Sequence, residues 1–282
     1  MDNKPEITED SQSEYDSVDD KFGKKIESLF RGKPDNLVSG QWKDEIYSMD
    51  YKNRGECHIF SHKRFDSSLG CSFIEETELD TDLLHQTFKE LGFVVTLHED
   101  YSLKDIRKVI AKVSEKDHRK ASCLVCCFLS YGNQAELYAA DQSYNINSVL
   151  APFCATLPGK PKIFIFQAKK PNFSVHTSRE SEDAGLVDLL KGKKYYSKRI
   201  PLFADFLIAL STFSGSNAFS NGRRFSNFIL LLCHALRKHS KTLDFLSILT
   251  FVNSEMVRLF DSPFLDENFF FRSCLTRVLK FS

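Results

Sequence analysis

Residues 162–171 read KIFIFQAKKP. Four apolar residues, Ile163 to Phe166, run without interruption into Gln167 and Ala168, and two lysines and a proline follow. A short, nearly continuous apolar run is the signature of a strand covered on both faces in a parallel sheet. Such a strand delivers its last side chains to the rim of the sheet, where functional groups belong. Lys169 and Lys170 stand at that rim, either as a solvated pair or as the remains of a reactive loop.

Three upstream segments share the pattern: CHIFS (Cys57 to Ser61), FVVTL (Phe93 to Leu97) and CLVCCFL (Cys123 to Leu129). Helices are predicted between them. Leu84, Phe88 and Leu91 share one face of a segment from Thr81 to Leu91, which Gly92 would terminate. A second helix starts at Ser102 with Asp105 three residues on, a capping-box pattern, and buries Ile106, Val109, Ile110 and Val113 while its lysines face water. Strands alternating with helices give an α/β sheet between helical layers. Farther on, ADFLIALS (Ala204 to Ser211) reads as another strand, Phe225 to Lys238 and Leu243 to Phe260 as amphipathic helices, and FFFRSCLTRVLKF as a segment that closes the sheet.

Bulk composition excludes several classes of function. Lysine plus arginine equals aspartate plus glutamate at 38 each, so no global field draws the protein to nucleic acid or to an anionic membrane. No window reaches the 18 or so apolar residues of a membrane span, and the opening MDNKPEITED lacks the pattern of a secretory signal, so a cytoplasmic protein is expected. Residues 1–20 carry eight acidic side chains against the single basic Lys4, which describes a disordered lead. Cys123 and Cys126 have metal-like spacing, but no second Cys or His pair follows at a suitable distance. They and Cys127 read as reduced core thiols, the eight histidines form no metal pattern, and neither metal nor cofactor is expected. Between Asn172 and Arg199 the apolar periodicity collapses into a long polar loop.

From Tyr47 onward the chain resembles a caspase. The resemblance rests on YSMDYKNRG, FKELGF, LSYGNQAELYAAD, LPGKPKIFIFQA, IPLFADFLIALST, LTFVNSEMV and CLTRVLKF, seven landmarks in family order. It implies an α/β caspase-like sandwich with a central, mostly parallel six-stranded sheet flanked by helices. It further implies a short acidic prodomain-like segment (1–40) of the effector type, a large-subunit-like part (41–171), an intersubunit linker (172–200) and a small-subunit-like part (201–282). Processing at Asp183, or at Asp16 and Asp20 in the lead, is one implication, and charged linkers with no such role are the other reading.

In that family a Cys-His dyad cleaves after aspartate, with a glycine amide at the oxyanion. The resemblance puts Lys169 in the cysteine's place and Tyr131 in the histidine's, while the oxyanion glycine survives as Gly132. An amine attacking a peptide carbonyl would leave an amide as stable as the substrate, and a phenol of pKa about 10 is a poor base beside an imidazole of about 6.5. Of the residues that hold the substrate aspartate, Gln167 remains, Ile74 and Ser220 fall where two arginines belong, and Phe219 falls where a tryptophan lines the next subsite. Arg223 or Arg224 could replace a lost arginine after a small loop shift.

The resemblance also marks Phe269, Phe270, Phe271, Arg272, Ser273 and Cys274 as the strand that pairs with its twin across a two-fold axis. An apolar edge strand is costly to leave unpaired; an internal strand covered by a loop is the other reading. The implied function is that of a catalytically dead caspase homologue that regulates apoptosis as the heterodimer partner of an active caspase, with homodimerisation also possible. Two alternatives stay open, a hydrolase with a relocated nucleophile such as Ser130 or Ser174 and a scaffold for an unrelated partner. His62 and His176 lie near the expected cleft without a sign that either is a substitute base.

Overall fold

The apolar runs become adjacent strands. The computed structural model describes residues 45–171, 203–213, 218–220, 223–259 and 268–281, with side chains omitted at 218–220, 223–224, 259 and 268. Asp16, Asp20, Ser174, His176 and Asp183 lie outside the described residues. Strands β1 (Asn53–Ser61), β2 (Val94–Glu99), β3 (Ala121–Tyr131), β4 (Glu136–Tyr138), β5 (Ser143–Asn145), β6 (Lys162–Lys169), β7 (Phe206–Phe213), β8 (Ala218–Ser220), β9 (Arg223–Phe225) and β10 (Asn268–Ser273) follow in order. Among the described residues six of them form one sheet in the order β10-β7-β6-β3-β1-β2. All its pairs are parallel except β10, which runs antiparallel to β7.

Alternation of side chains divides the strands between two cores. Cys123, Val125, Cys127, Leu129, Ile163, Ile165, Leu207 and Ala209 face helices α1 (Glu76–Glu90), α3 (Asn227–His239) and α4 (Phe245–Leu259). Leu124, Cys126, Phe128, Phe164, Phe166, Ile208 and Leu210 face helix α2 (Leu103–Glu115) and the segment after β5. On that second face Phe60, Phe128 and Phe166 stand opposite one another across β1, β3 and β6, with ring centroids 4.7 and 5.2 Å apart. The cysteines of β3 are free and buried.

Helix ends follow the expected chemistry. Ser102 caps α2, its hydroxyl oxygen accepting from the Asp105 amide. Gly92, at φ 87°, ends α1 in a left-handed turn: the Gly92 amide donates to Lys89, the Phe93 amide to Phe88, and the two phenylalanine rings meet edge-on at 5.5 Å.

Several boundaries shift by one to four residues from the sequence reading, β1 starting at Asn53 and not Cys57 and β7 running from Phe206 to Phe213 and not from Ala204 to Ser211, and two differences have physical consequences. Helix α1 begins at Glu76, not Thr81. Its first turns are buried through polar contacts, with Asp80 accepting from the Ser226 amide and Thr81 bonded to Ser61, so apolar periodicity does not reveal them. The terminal segment contributes only as far as Ser273 to the sheet; it then turns back, bridging Val278 to Ile46 and burying Leu279 and Phe281 in the α1-side core. Asp205, at φ 66°, ties these ends together, accepting from the Tyr47 and Thr276 hydroxyls at 2.6 Å each and from the Gly159 amide at 3.1 Å. Burial and the Asp205 hydrogen bond push the Tyr47 phenol up to about 12.

A polar line crosses the open edge of the sheet. Lys116 contacts the Glu56 carboxylate, His58 Nε2 lies 3.4 Å from it, and His58 Nδ1 lies 3.1 Å from His98 Nε2. The His58 hydrogen bond holds Glu56 down at about 2, whereas burial and then the neighbouring His58 push His98 down to about 4. Between an unfolded His pKa of about 6.5 and the folded value, only the unfolded chain binds this proton, so stability falls as pH drops through that window. Glu56 adds a further loss only below its unfolded value of 4.5. After discounting a ceiling near 3 kcal/mol for solvent screening, His98 accounts for about 1–2 kcal/mol. Urea unfolding at pH 7.5 and at pH 5 should show this loss, and His98→Phe should remove most of it; equal losses in both proteins would refute the assignment.

Candidate functional site

The carboxyl ends of β3, β6 and β7 carry the residues singled out from the sequence. Tyr131, Lys169 and Phe213 stand in register as one row, and Leu129, Gln167 and Ser211 form the row one step deeper. Both rows face α1 and α3, because residues two apart share a face of a strand.

Lys169 is held from across the helix layer. Its Nζ lies 3.4 Å from both carboxylate oxygens of Glu76, in the first turn of α1, and 5.8 Å from the Phe213 ring. The two side chains are 15% and 5% exposed. An acidic residue suits the positive end of a helix, and Lys169 is engaged with Glu76 as an ion pair. Glu76 was not among the residues singled out from sequence; the signal available was that a lysine on the buried face of a strand needs an anion, with ETELD the nearest acidic run at a helix start.

Tyr131 is as buried as a core residue. Its hydroxyl is 2.9 Å from Ser72 Oγ, its ring is 5.2 Å from that of Phe65, and it packs with Ile74 and Tyr138. Ile74 thus belongs to an apolar cluster and brings no charge for a substrate carboxylate. Gly132 follows, and its amide donates to the Lys169 carbonyl at 2.9 Å. A Cβ there would sit 2.4 Å from the Glu136 carbonyl oxygen, so the close approach of β4 by itself requires glycine. Gln167 is 3% exposed, and neither amide atom of its side chain has a hydrogen-bond partner among the described residues.

Ser220 lies on β8, directly opposite Arg223 of β9, and Phe219 lies opposite Arg224. This hairpin packs its second strand against α1, on the same side of the sheet as Glu76. Among the described residues the alternative nucleophile Ser130 is not brought to His62. Ser130 points to the other face and donates to the Tyr138 carbonyl at 2.6 Å. His62 is buried against the Tyr101 carbonyl at 2.9 Å, and burial pushes its pKa down. Among the described residues no group of three His, Cys, Asp or Glu side chains is placed to hold a metal ion, and no helix is long and apolar enough to cross a membrane.

At the far edge, Phe269 and Phe271 of β10 turn inward, Phe269 stacking on Phe228 at 4.5 Å. Phe270 is 40% exposed on the opposite face, and Arg272, Ser273 and Cys274 are exposed. The outer side of β10 has no strand partner among the described residues.

Comparison with known proteins agrees with this fold. A model of the caspase domain matches residues 54–273. Caspase-3 of Bos taurus is 32% identical over 260 residues, covering 90% of this chain and 91% of its own length. Caspase-1 of Drosophila melanogaster is 34% identical over 252 residues, covering 83% and 75%. The solved structure of pro-sf-caspase-1 superposes with a TM-score of 0.68 at 34% identity, covering 84% of this chain and 94% of that one.

Proposed function

The chain belongs to the caspase family, and from that membership we propose that it is a non-proteolytic member that regulates apoptosis by pairing with a catalytically competent caspase. The observation that carries the reading is the Lys169–Glu76 pair, which occupies the nucleophile position with a structural ion pair. Tyr131, buried in an apolar cluster where the family has its histidine, supports the same reading. So does the Gly132 amide, already bonded to the Lys169 carbonyl and not free for an oxyanion. By contrast, two buried hydrophobic clusters cover both faces of the sheet among the described residues, and β10 is an aromatic strand at its edge suited to pairing across a two-fold axis. Such an edge either supplies loop contacts to a partner and activates it, or occupies its interface and inhibits it. A cytoplasmic location fits this role.

The full chain, alone and co-expressed with each active caspase of the same organism, is to be assayed on an aspartyl peptide. The expected result is no hydrolysis above the buffer blank alone, and a rate changed by about twofold or more, in either direction, with one partner. Phe270→Lys, which puts a charge on the edge strand, should abolish that change. Hydrolysis by the chain alone, or no partner among the caspases, would overturn the proposal.

A further inference from the structure

Helix α2 buries Leu103, Ile106, Ile110 and Val113 and turns Lys104, Arg107, Lys108, Ala111 and Lys112 to solvent. Lys104, Lys108 and Lys112 are each four residues apart, which places them on one line at steps of about 6 Å. Like charges at that spacing repel, at a cost of a few tenths of a kcal/mol per pair. Lys104, Arg107, Lys108 and Lys112 have no ion-pair partner among the described residues, and the only acids of the helix, Asp105 and Glu115, stand three residues from Lys108 and Lys112 without closing an ion pair. Lys116 continues the line by one turn and is already engaged by Glu56. The contrast is with a chain that is neutral overall and pairs Lys63, Arg64, Arg119, Arg237 and Arg258 with acids.

We propose that the outer face of α2 is a docking surface for an acidic helical segment of a partner protein, one that carries carboxylates at every fourth residue along one face. A partner helix repeats at the same step of about 6 Å, so three carboxylates can meet three lysines in register. Ala111, between Arg107, Lys108 and Lys112, leaves room for the partner backbone to approach. Glu115 lies in the middle of this face at its C-terminal end and closes the cationic stretch after about 12 Å. An anion that continues past that point, such as a nucleic-acid strand or a charged lipid surface, meets a repelling charge there, whereas a peptide helix can place a base opposite it. Three of the four cationic groups are lysine heads, compact point charges suited to single carboxylates, and only Arg107 carries the fork that favours phosphate. The surface lies outside the catalytic-site positions and does not depend on how the chain acts on a caspase.

The test is fluorescence anisotropy with the full chain and a labelled alanine-based helix of about 18 residues bearing glutamate at every fourth position. Binding is expected near 50 mM salt and should weaken about tenfold or more by 300 mM. Replacing Lys104, Arg107, Lys108 and Lys112 together by glutamine should remove it, with the melting temperature unchanged or raised because repulsion is relieved. Glu115→Lys should tighten it severalfold, and a peptide of equal charge with its glutamates clustered at one end should bind at least fivefold more weakly. Equal binding of both peptides, binding unaffected by the quadruple substitution, or tighter binding to a single-stranded oligonucleotide or to phosphatidylserine vesicles would overturn the proposal.

Discussion

Replacing Lys169 with methionine is expected to destabilise the protein by about 3 kcal/mol, measured by urea unfolding. Removing one member of a buried ion pair costs about 3–5 kcal/mol because the other charge stays behind in a poor solvent. Here Glu76, 5% exposed at the start of α1, keeps a further contact besides Lys169, and Lys169 is itself 15% exposed, and both facts place the effect at the low end. Glu76→Gln in the same chain should recover at least half of the loss, and a double-mutant cycle should give a coupling above about 1 kcal/mol. Additive losses would mean that the two side chains do not act as a pair. On the proposed reading, Tyr131→His with Lys169→Cys supplies a dyad by name but removes the Lys169–Glu76 pair, keeps Ile74 uncharged, and keeps Gly132 bonded to the carbonyl of residue 169. No measurable hydrolysis of an aspartyl peptide is expected from that variant, because nucleophile, base and oxyanion donor work only as a unit.

A larger effect is expected far from the site. Gly55→Ala should yield little or no folded protein, a loss above about 4 kcal/mol. Gly55 has φ 137°, and a Cβ there would lie 1.9 Å from the Cys123 carbonyl oxygen. The obstacle is backbone of β3, the strand paired with β1 along its length, so no side chain can swing away. Gly159→Ala is the control: at φ 70° it faces open space within 4 Å, and it should cost about 1 kcal/mol. Soluble yield and thermal melting of the two variants, compared side by side, settle the matter. A Gly55→Ala protein that melts within a few degrees of the parent would refute the argument. Gly55 belongs to the landmark YSMDYKNRG, and the close approach of β1 to β3 is the physical reason that a glycine stands there.

What was legible in the sequence follows from burial. Strands packed on both faces, such as CLVCCFL and KIFIF, have to be apolar at nearly every position, so they read as strands from the sequence, whereas their order in the sheet does not. Helix α2 showed itself because one face is buried and one is wet. Polar burial was opaque: ETELD at the start of α1 is packed through hydrogen bonds and an ion pair, which leave no periodic trace. The hairpins β4–β5 and β8–β9, three residues per strand, are too short to show an alternation. At the site, the neighbourhood of Tyr131 and Lys169 could be inferred from the flanking landmarks. The direction of the Gly132 amide and the identity of the group facing Lys169 needed three dimensions, since Glu76 is remote in sequence from both strands.

Asp205 has a consequence for the chain as a covalent object. It stands just after the segment joining β6 to β7, yet its carboxylate grips Tyr47 from the amino-terminal side, Thr276 from the carboxy-terminal side and Gly159 before β6. With β6 and β7 also paired residue for residue from Lys162 to Lys169, the two halves are bound to each other without help from the peptide that links them. A nick in that linker would pass unnoticed on a sizing column and be seen only on a denaturing gel, so that molecular mass in solution is no guide to whether the polypeptide is one piece or two.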